Sequence, residues 1–519
     1  MTVERQVVRA LGSISTATLA SRVLGFVRDM VVALAFGAGP VTDAFFVAFR
    51  IPNMLRRLLG EGALSTALVP VFTEYATTRS RDEFLQMLRA VLAASLAALS
   101  VTTLVGIAAA PWILRVVAPG FTDDPGQMTL AVLLTRAMFP YLVLVGLAAL
   151  AMGALHAHGR FFAAALGPAV LNVGIIVAVL LLAGRMEPPI LALAVGVLAG
   201  GAGQLLVQVP SLRRAGLLVL PSGDRRHPAL VRMARLLVPA VFGLAAVQVT
   251  VLVNTLLASL LPGGSISFLY YADRVMEFPL GVFGIAQASA SLPAMSRQAA
   301  VGDRQGLGET VNFTLRLALY VALPATAGLV LLRMPITRVL FERGRFGPED
   351  TAATAQALAW YAVGLVGFSM ARILAQVLYA LGEPGTAVKL GLLSVGANVI
   401  AALALMEPLA HGGLALASSV GGYVNVALLL WVARRRLGRL GGRALAASLG
   451  RTLAACGPLV GWCALCLWTW PAPDARWLDA GWLALAVVGG AVAFWSTSRL
   501  LAAPESTALR AVLPLGRTR

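Results

Sequence analysis

Arg22, Arg28, Asp29, Asp43, Arg50, Arg56, Arg57 and Glu61 crowd into residues 21–65, a stretch otherwise apolar enough to enter a bilayer. Guanidinium groups bind phosphates bidentately and keep their charge at every relevant pH. A set of them in apolar surroundings is chemistry for gripping an anion. An Arg or Asp at the centre of a spanning helix costs roughly 2.5–3.5 kcal/mol. So many charges are tolerated only when most face a water-filled cavity or one another, which makes the stretch a candidate functional site.

Spacing sorts these residues. Arg50, Asn53, Arg57 and Glu61 recur at i, i+3, i+7 and i+11 and form one polar stripe on a regular helix. Arg57 and Glu61 are an i, i+4 pair, whereas Arg56 lies about 100° round the helix and points elsewhere. Arg22 and Asp29 share a face at i+7, with Arg28 offset. Further along, Glu277 can reach Arg274 at i−3 or Asp273 at i−4, and Arg372 is a further cavity candidate. Several positions also have structural explanations. Arg50 can snorkel to an interface, Arg57 can neutralise Glu61, and Asp43, beside a Gly-Ala-Gly-Pro turn, can cap its own helix. Glu61 and Glu277 suit counter-ions or gate partners better than proton carriers. Arg28, Arg56 and Arg274 fit such roles least, being deep, on three helices, and without an obvious local partner for each charge. Arg22 is intermediate.

The same residues carry a resemblance. Ser21-Arg22-x-x-Gly25-x-x-Arg28-Asp29, Thr42-Asp43-Ala44-Phe45-Phe46, Pro52-Asn53-x-x-Arg56-Arg57, Glu61-Gly62 and Tyr270-Tyr271-Ala272-Asp273-Arg274-x-x-Glu277-Phe278-Pro279 resemble the MurJ (MviN) lipid II flippases. The likeness runs to about residue 500 and weakens after 440. It implies the two-lobed fold of the multidrug/oligosaccharidyl-lipid/polysaccharide exporter superfamily. It also implies lipid II, an undecaprenyl-pyrophosphate-linked disaccharide peptide, as the substrate moved outward by alternating access. Arg28, Arg56, Arg274, Arg22 and Asn53 would then bind pyrophosphate and headgroup. Asp29, Asp43, Arg57, Glu61, Asp273 and Glu277 would serve as gate or counter-ion groups. The family setting implies the bacterial cytoplasmic membrane, surrounding membrane lipids, and cell-wall synthesis proteins as further partners. The resemblance allows coupling to the membrane potential or to an ion gradient, and the residues do not choose between them. An exporter of other polyprenyl-linked saccharides or small molecules is the alternative, and a non-transporting membrane scaffold is a third reading.

The elements that must position these groups are membrane helices. The chain has 519 residues, 59% hydrophobic and only 12% charged, and many apolar runs are about 20 residues long. This predicts an all-α polytopic membrane protein with fourteen spans. The charged positions fall on span 1 (10–37), span 2 (42–77), span 8 (266–297) and span 10 (351–381). Pro52 and the Gly60-Glu61-Gly62 triplet are expected to bend or interrupt span 2. Phe45 and Phe268, like Pro70 and Pro293, stand 223 residues apart, and Arg213-Arg214 recurs near that offset as Arg435-Arg436. The expected organisation is an N-lobe of six spans at 1–222, a parallel repeat at 223–440, and two added spans with a tail at 441–519. Loops assigned to one side carry most of the Arg, which puts both termini in the cytoplasm.

Other functions find little support. The net charge of +18 fits cytoplasmic loops against anionic headgroups, and not nucleic acid. Asp123-Asp124 lies in a loop beside Pro125 and is not the carboxylate cluster that Mg²⁺-dependent phosphotransferases need. His156 and His158 flank a short turn. No GxxxxGK[ST] is present. Cys456, Cys463 and Cys466 read as inert thiols in an apolar segment. No enzyme, metal or cofactor is expected, and the first apolar segment reads as a retained span.

Overall fold

The computed structural model describes residues 3–56, 64–221, 227–281, 285–470 and 476–507. Among them the chain is helical, with no strand. The helices are α1 (Val3–Phe36), α2 (Pro40–Arg56), α3 (Leu64–Thr78), α4 (Arg81–Val117), α5 (Pro125–Met138), α6 (Tyr141–Ala157), α7 (Phe162–Ala165), α8 (Gly167–Leu182), α9 (Leu191–Leu206), α10 (Val209–Ala215), α11 (Pro228–Ser259), α12 (Ser265–Pro279), α13 (Ile285–Ala300), α14 (Arg304–Leu331), α15 (Arg333–Phe341), α16 (Pro348–Ala380), α17 (Pro384–Leu437), α18 (Gly442–Trp468) and α19 (Arg476–Leu500).

Nine helical segments among the described residues are long and apolar enough to cross a membrane. The chain is a multi-pass membrane protein. The 54 residues of α17 would extend about 80 Å, against a hydrocarbon core of about 30 Å. Its backbone breaks at Ala410 (φ 47°, ψ −130°), two residues after Pro408, so it is two helices in sequence. None of the nine is α1, α2, α12 or α13. α2, α12 and α13, of 17, 15 and 16 residues, are too short by themselves to cross a hydrocarbon core of about 30 Å. Pro52 sits inside α2 without stopping it. The expected break at Gly60-Glu61-Gly62 lies outside the described residues. The fourth expected span is one apolar segment, Pro125–Ala157, interrupted at Phe139–Pro140 between α5 and α6.

Two pairs of helices begin at the offset expected of the repeat. Arg81 and Arg304 open α4 and α14, 223 residues apart, and Pro125 and Pro348 open α5 and α16 at the same offset. The chain divides into two compact units. One comprises Met1–Ser267 with Arg343–Phe346, and the other Phe268–Glu342 with Gly347–Arg519. In the first unit Leu68, Phe72, Phe84, Met87 and Leu155 form a core joining α3, α4 and α6. There α8 and α9 meet at glycine, where a Cβ on Gly174 would lie 2.7 Å from the Gly200 Cα. Close backbone approach through small residues is how membrane helices gain contact without a hydrophobic drive between them.

In the second unit Tyr320, Cys456, Leu459, Cys463, Cys466 and Phe494 pack α18 and α19 onto α14. All three cysteines are buried and free. Polar contacts fasten this helix pair at each end. Arg316 Nε donates to Glu505 Oε1 at 2.6 Å, and Ser448 Oγ donates to the same oxygen at 3.1 Å. At the other end Trp470 donates to Asp479 at 2.9 Å, with Arg338 3.9 Å from that carboxylate.

Candidate substrate site

The first unit builds its site on α1. Arg28 is 13% exposed and Asp29 only 2%. The guanidinium Nε and Nη2 of Arg28 both donate to Asp29 Oδ1, at 3.0 and 2.7 Å. Its Nη1 donates to Asn172 Oδ1 of α8 at 3.0 Å. The Asn172 amide then donates to the Ser21 carbonyl at 3.1 Å, so one side chain braces α1 a full two turns before Arg28. Gly25 leaves room for it, since a Cβ there would already touch Asn172 Nδ2 at 3.4 Å. The expectation that Arg28 lacks a local partner is therefore corrected. Adjacent residues point about 100° apart on a helix, but a long guanidinium reaches back to its neighbour's carboxylate. Asp29 takes Arg28 as its partner here, and Arg22, expected on the Asp29 face, is exposed.

Asn172 gave no signal in the sequence, being one polar residue in an apolar run. Replacing it with Ala removes two partly buried hydrogen bonds, one of them to a charged group worth roughly 1.5–3 kcal/mol. We expect Asn172→Ala to reach the membrane and to lower transport by about an order of magnitude, checked by quantifying protein level and transport together.

On α2, Arg56 Nε donates to Asn53 Oδ1 at 3.0 Å. This is an ordinary i, i+3 contact, so Asn53 joins Arg56 and not only the stripe with Arg50. Arg50 itself donates to Thr255 of α11. Arg57 and Glu61 lie outside the described residues. Asp43 does not act as the cap of its own helix. It is 2% exposed in the first turn of α2 and accepts from Gly264 N at 2.6 Å, Ser267 N at 2.7 Å and Ser267 Oγ at 2.5 Å. It satisfies backbone donors at the start of the Ser265 turn, which would otherwise be buried without acceptors. Thr42, its neighbour, donates to the Phe36 and Gly37 carbonyls and fixes the α1–α2 corner.

In the second unit, Arg274 on α12 pairs with Glu277 at 2.8 Å, which decides between the two partners open to that carboxylate. The Arg274 guanidinium also lies 4.9 Å from the Tyr270 ring centroid and donates to the Tyr270 hydroxyl at 3.2 Å. Arg274 and Glu277 remain 29% and 48% exposed, and Asp273 is half-buried. Arg372 is half-buried on α16. Arg28 and Arg274 thus resemble each other in design: each guanidinium is oriented by a neighbouring carboxylate and a second polar group. Such an arrangement presents a fixed planar donor to an anion. Among the described residues no group of three or more His, Cys, Asp or Glu side chains could hold a metal ion.

Known proteins share this sequence and fold. The Lipid II flippase MurJ family matches residues 32–472. The chain is 38% identical over 435 residues to the Lipid II flippase MurJ of Burkholderia cenocepacia, covering 82% of this chain and 84% of that protein. It is 36% identical over 436 residues to the probable lipid II flippase MurJ of Vibrio cholerae, covering 83% of each. Among solved structures, a Lipid II flippase MurJ in an inward closed conformation aligns with a TM-score of 0.79 at 23% identity, over 94% of this chain and 98% of that one. An inward-facing MATE family multidrug resistance transporter of the MOP superfamily aligns at 0.64 and 15% identity, over 81% of this chain and 96% of that one. These two likenesses concern the fold. The family is one of transporters and not of catalytic enzymes. With a family match over residues 32–472, from the end of α1 through α18, this chain belongs to the Lipid II flippase MurJ family.

Proposed function

We propose that this protein moves lipid II from the cytoplasmic to the outer leaflet of the bacterial inner membrane by alternating access. The observation that carries the reading is the Arg28 guanidinium, 13% exposed within apolar helices and held by Asp29 and Asn172. A pyrophosphate crossing hydrocarbon needs such a group, because an unpaired anion there is prohibitively costly. Arg28, Arg56, Arg274, Arg22 and Asn53 bind the pyrophosphate and headgroup, with Arg372 as a further cavity residue. Asp29, Asp43, Arg57, Glu61, Asp273 and Glu277 act as counter-ions or gate groups. The fourteen spans form lobes at 1–222 and 223–440 with an added segment at 441–519, and both termini face the cytoplasm. A cationic set suits this substrate better than the cationic drugs that acidic cavities take.

The test is complementation of a strain depleted of its own flippase, with lipid II exposure at the outer surface as the readout. Failure to restore exposure by a normally inserted protein would overturn the reading. Orientation is checked in the same strain by single cysteines in a Cys-free background. Gly39, Gly184 and Gly385 leave open space for a Cβ, and at Gly442 the nearest atom would be 3.9 Å away. Gly39→Cys and Gly184→Cys should label from outside with an impermeant maleimide, and Gly385→Cys and Gly442→Cys should not. Reversed labelling would reverse the direction of transport.

A further inference from the structure

We propose that the C-terminal end of α1 borders a binding pocket for the phosphate of an anionic phospholipid headgroup, gripped by Arg185 and Arg345. A cavity of about 810 Å³ lies there, and its lining includes Phe36, Arg185, Met186, Glu187, Pro189 and Arg345. All of these residues belong to the first compact unit. Among the described residues, neither guanidinium is paired with a carboxylate.

The wall that carries Arg345 is built and held. Arg345 N donates to the Leu34 carbonyl at 3.0 Å, and Phe346 N closes a turn onto the Arg343 carbonyl at 3.0 Å. Phe346 is 1% exposed and anchors the segment. Two glycines at positive φ permit this contact, Gly344 at 58° and Gly37 at 70°. A Cβ at Gly344 would lie 2.3 Å from the Leu34 oxygen, and one at Gly37 would lie 2.6 Å from the Arg345 oxygen. The backbone of Arg345 is therefore locked against the last turn of α1, and its side chain lines the cavity.

The position of Arg185 gives the depth. It ends the apolar segment Phe162–Arg185, one of the membrane-spanning candidates. Leu180 and Leu181 are 63% and 58% exposed, as lipid-facing residues of a span would be. Arg185 follows Leu181 by four residues, about 6 Å along a helix. Apolar exposure that stops one turn before an Arg marks the change from acyl chain to headgroup. At that level the partner is a lipid phosphate. The lining fits it: two guanidiniums for the phosphate oxygens, Glu187 as an acceptor for a headgroup hydroxyl, and Phe36, Met186 and Pro189 against the glycerol and upper acyl chain. The site is separate from Arg28, and its loading is read without any transport step. Its failure is therefore distinguishable from failure of the flippase reading.

The experiment uses the full chain with Gly184→Cys, purified in maltoside micelles, where the three native cysteines are buried. Maleimide labelling is timed with dihexanoyl phosphatidylglycerol, dihexanoyl phosphatidylcholine or inorganic phosphate. Saturable protection by phosphatidylglycerol alone is expected. Arg185→Gln and Arg345→Gln should each raise its half-saturating concentration about tenfold or more, with unchanged thermal stability. Arg345→Lys, which keeps the charge, should lie between them and the parent. Equal protection by phosphatidylcholine would overturn the assignment, as would inorganic phosphate protecting as well as the lipid. So would protection that survives in the Arg185→Gln/Arg345→Gln double variant.

Discussion

Arg274→Ala abolishes or strongly reduces lipid II translocation while its membrane level stays normal; this is the expected result with the largest functional effect. The structure gives the reason for choosing it. Its partner Glu277 is 48% exposed, and an exposed ion pair contributes only about 0–1 kcal/mol to stability. Losing a charge-assisted hydrogen bond to pyrophosphate removes roughly 1.5–3 kcal/mol, one to two decades in affinity. Arg56→Ala should behave alike, since its contact with the Asn53 amide is only half-buried. Arg28→Ala differs, because it removes the ion pair of Asp29, which is 2% exposed. Removing one partner of a buried pair costs about 3–5 kcal/mol, so this variant should also lose protein level. Arg28→Ala/Asp29→Ala should recover level without recovering transport. Lys at any of the three positions keeps charge but not the planar fork, and should retain function only where charge alone matters. Protein level, lipid II binding and lipid II exposure are measured side by side. Normal binding by all three Ala variants at normal level would remove these residues from the site.

Glu505→Ala is expected to give the largest loss of stability, about 3–5 kcal/mol. Glu505 is fully buried and pairs with Arg316, itself 18% exposed, where the segment after α19 returns to α14. Thermal unfolding in nanodiscs reads the effect. Replacing the pair together, as Arg316→Met/Glu505→Leu, should restore most of it, because no charge is then left buried alone. A change under about 0.5 kcal/mol for Glu505→Ala would show that the contact does not fasten α18 and α19. The same pair governs any truncation. Removing residues 446–519 takes away Ser448, Ser498 and Glu505 together, leaving Arg316 and the Tyr320 hydroxyl without their partners. A truncated protein therefore tests a role for the added helices in transport only if Arg316 and Tyr320 are also replaced.

Much of this protein was legible in its residues. Apolar runs of spanning length interrupted by Arg and Asp required a polytopic protein with a charged interior, because hydrocarbon tolerates such groups no other way. The motifs around Arg28, Asp43, Arg56 and Arg274 pointed to the family on their own. Helical periodicity narrowed Glu277 to Arg274 or Asp273, and the structure pairs it with Arg274, but it placed Arg28 away from Asp29, its partner in the structure. What periodicity cannot supply is the partner on another helix. Asn172, 144 residues from Arg28, orients that guanidinium, and the donors to Asp43 lie 221 and 224 residues away. Glu505 meets Arg316 across 189 residues. A helix sequence specifies which side chains share a face, but which neighbour that face meets depends on how whole helices pack. That is why the candidate charges could be picked out from the sequence, and why their partners were decided only by the tertiary structure.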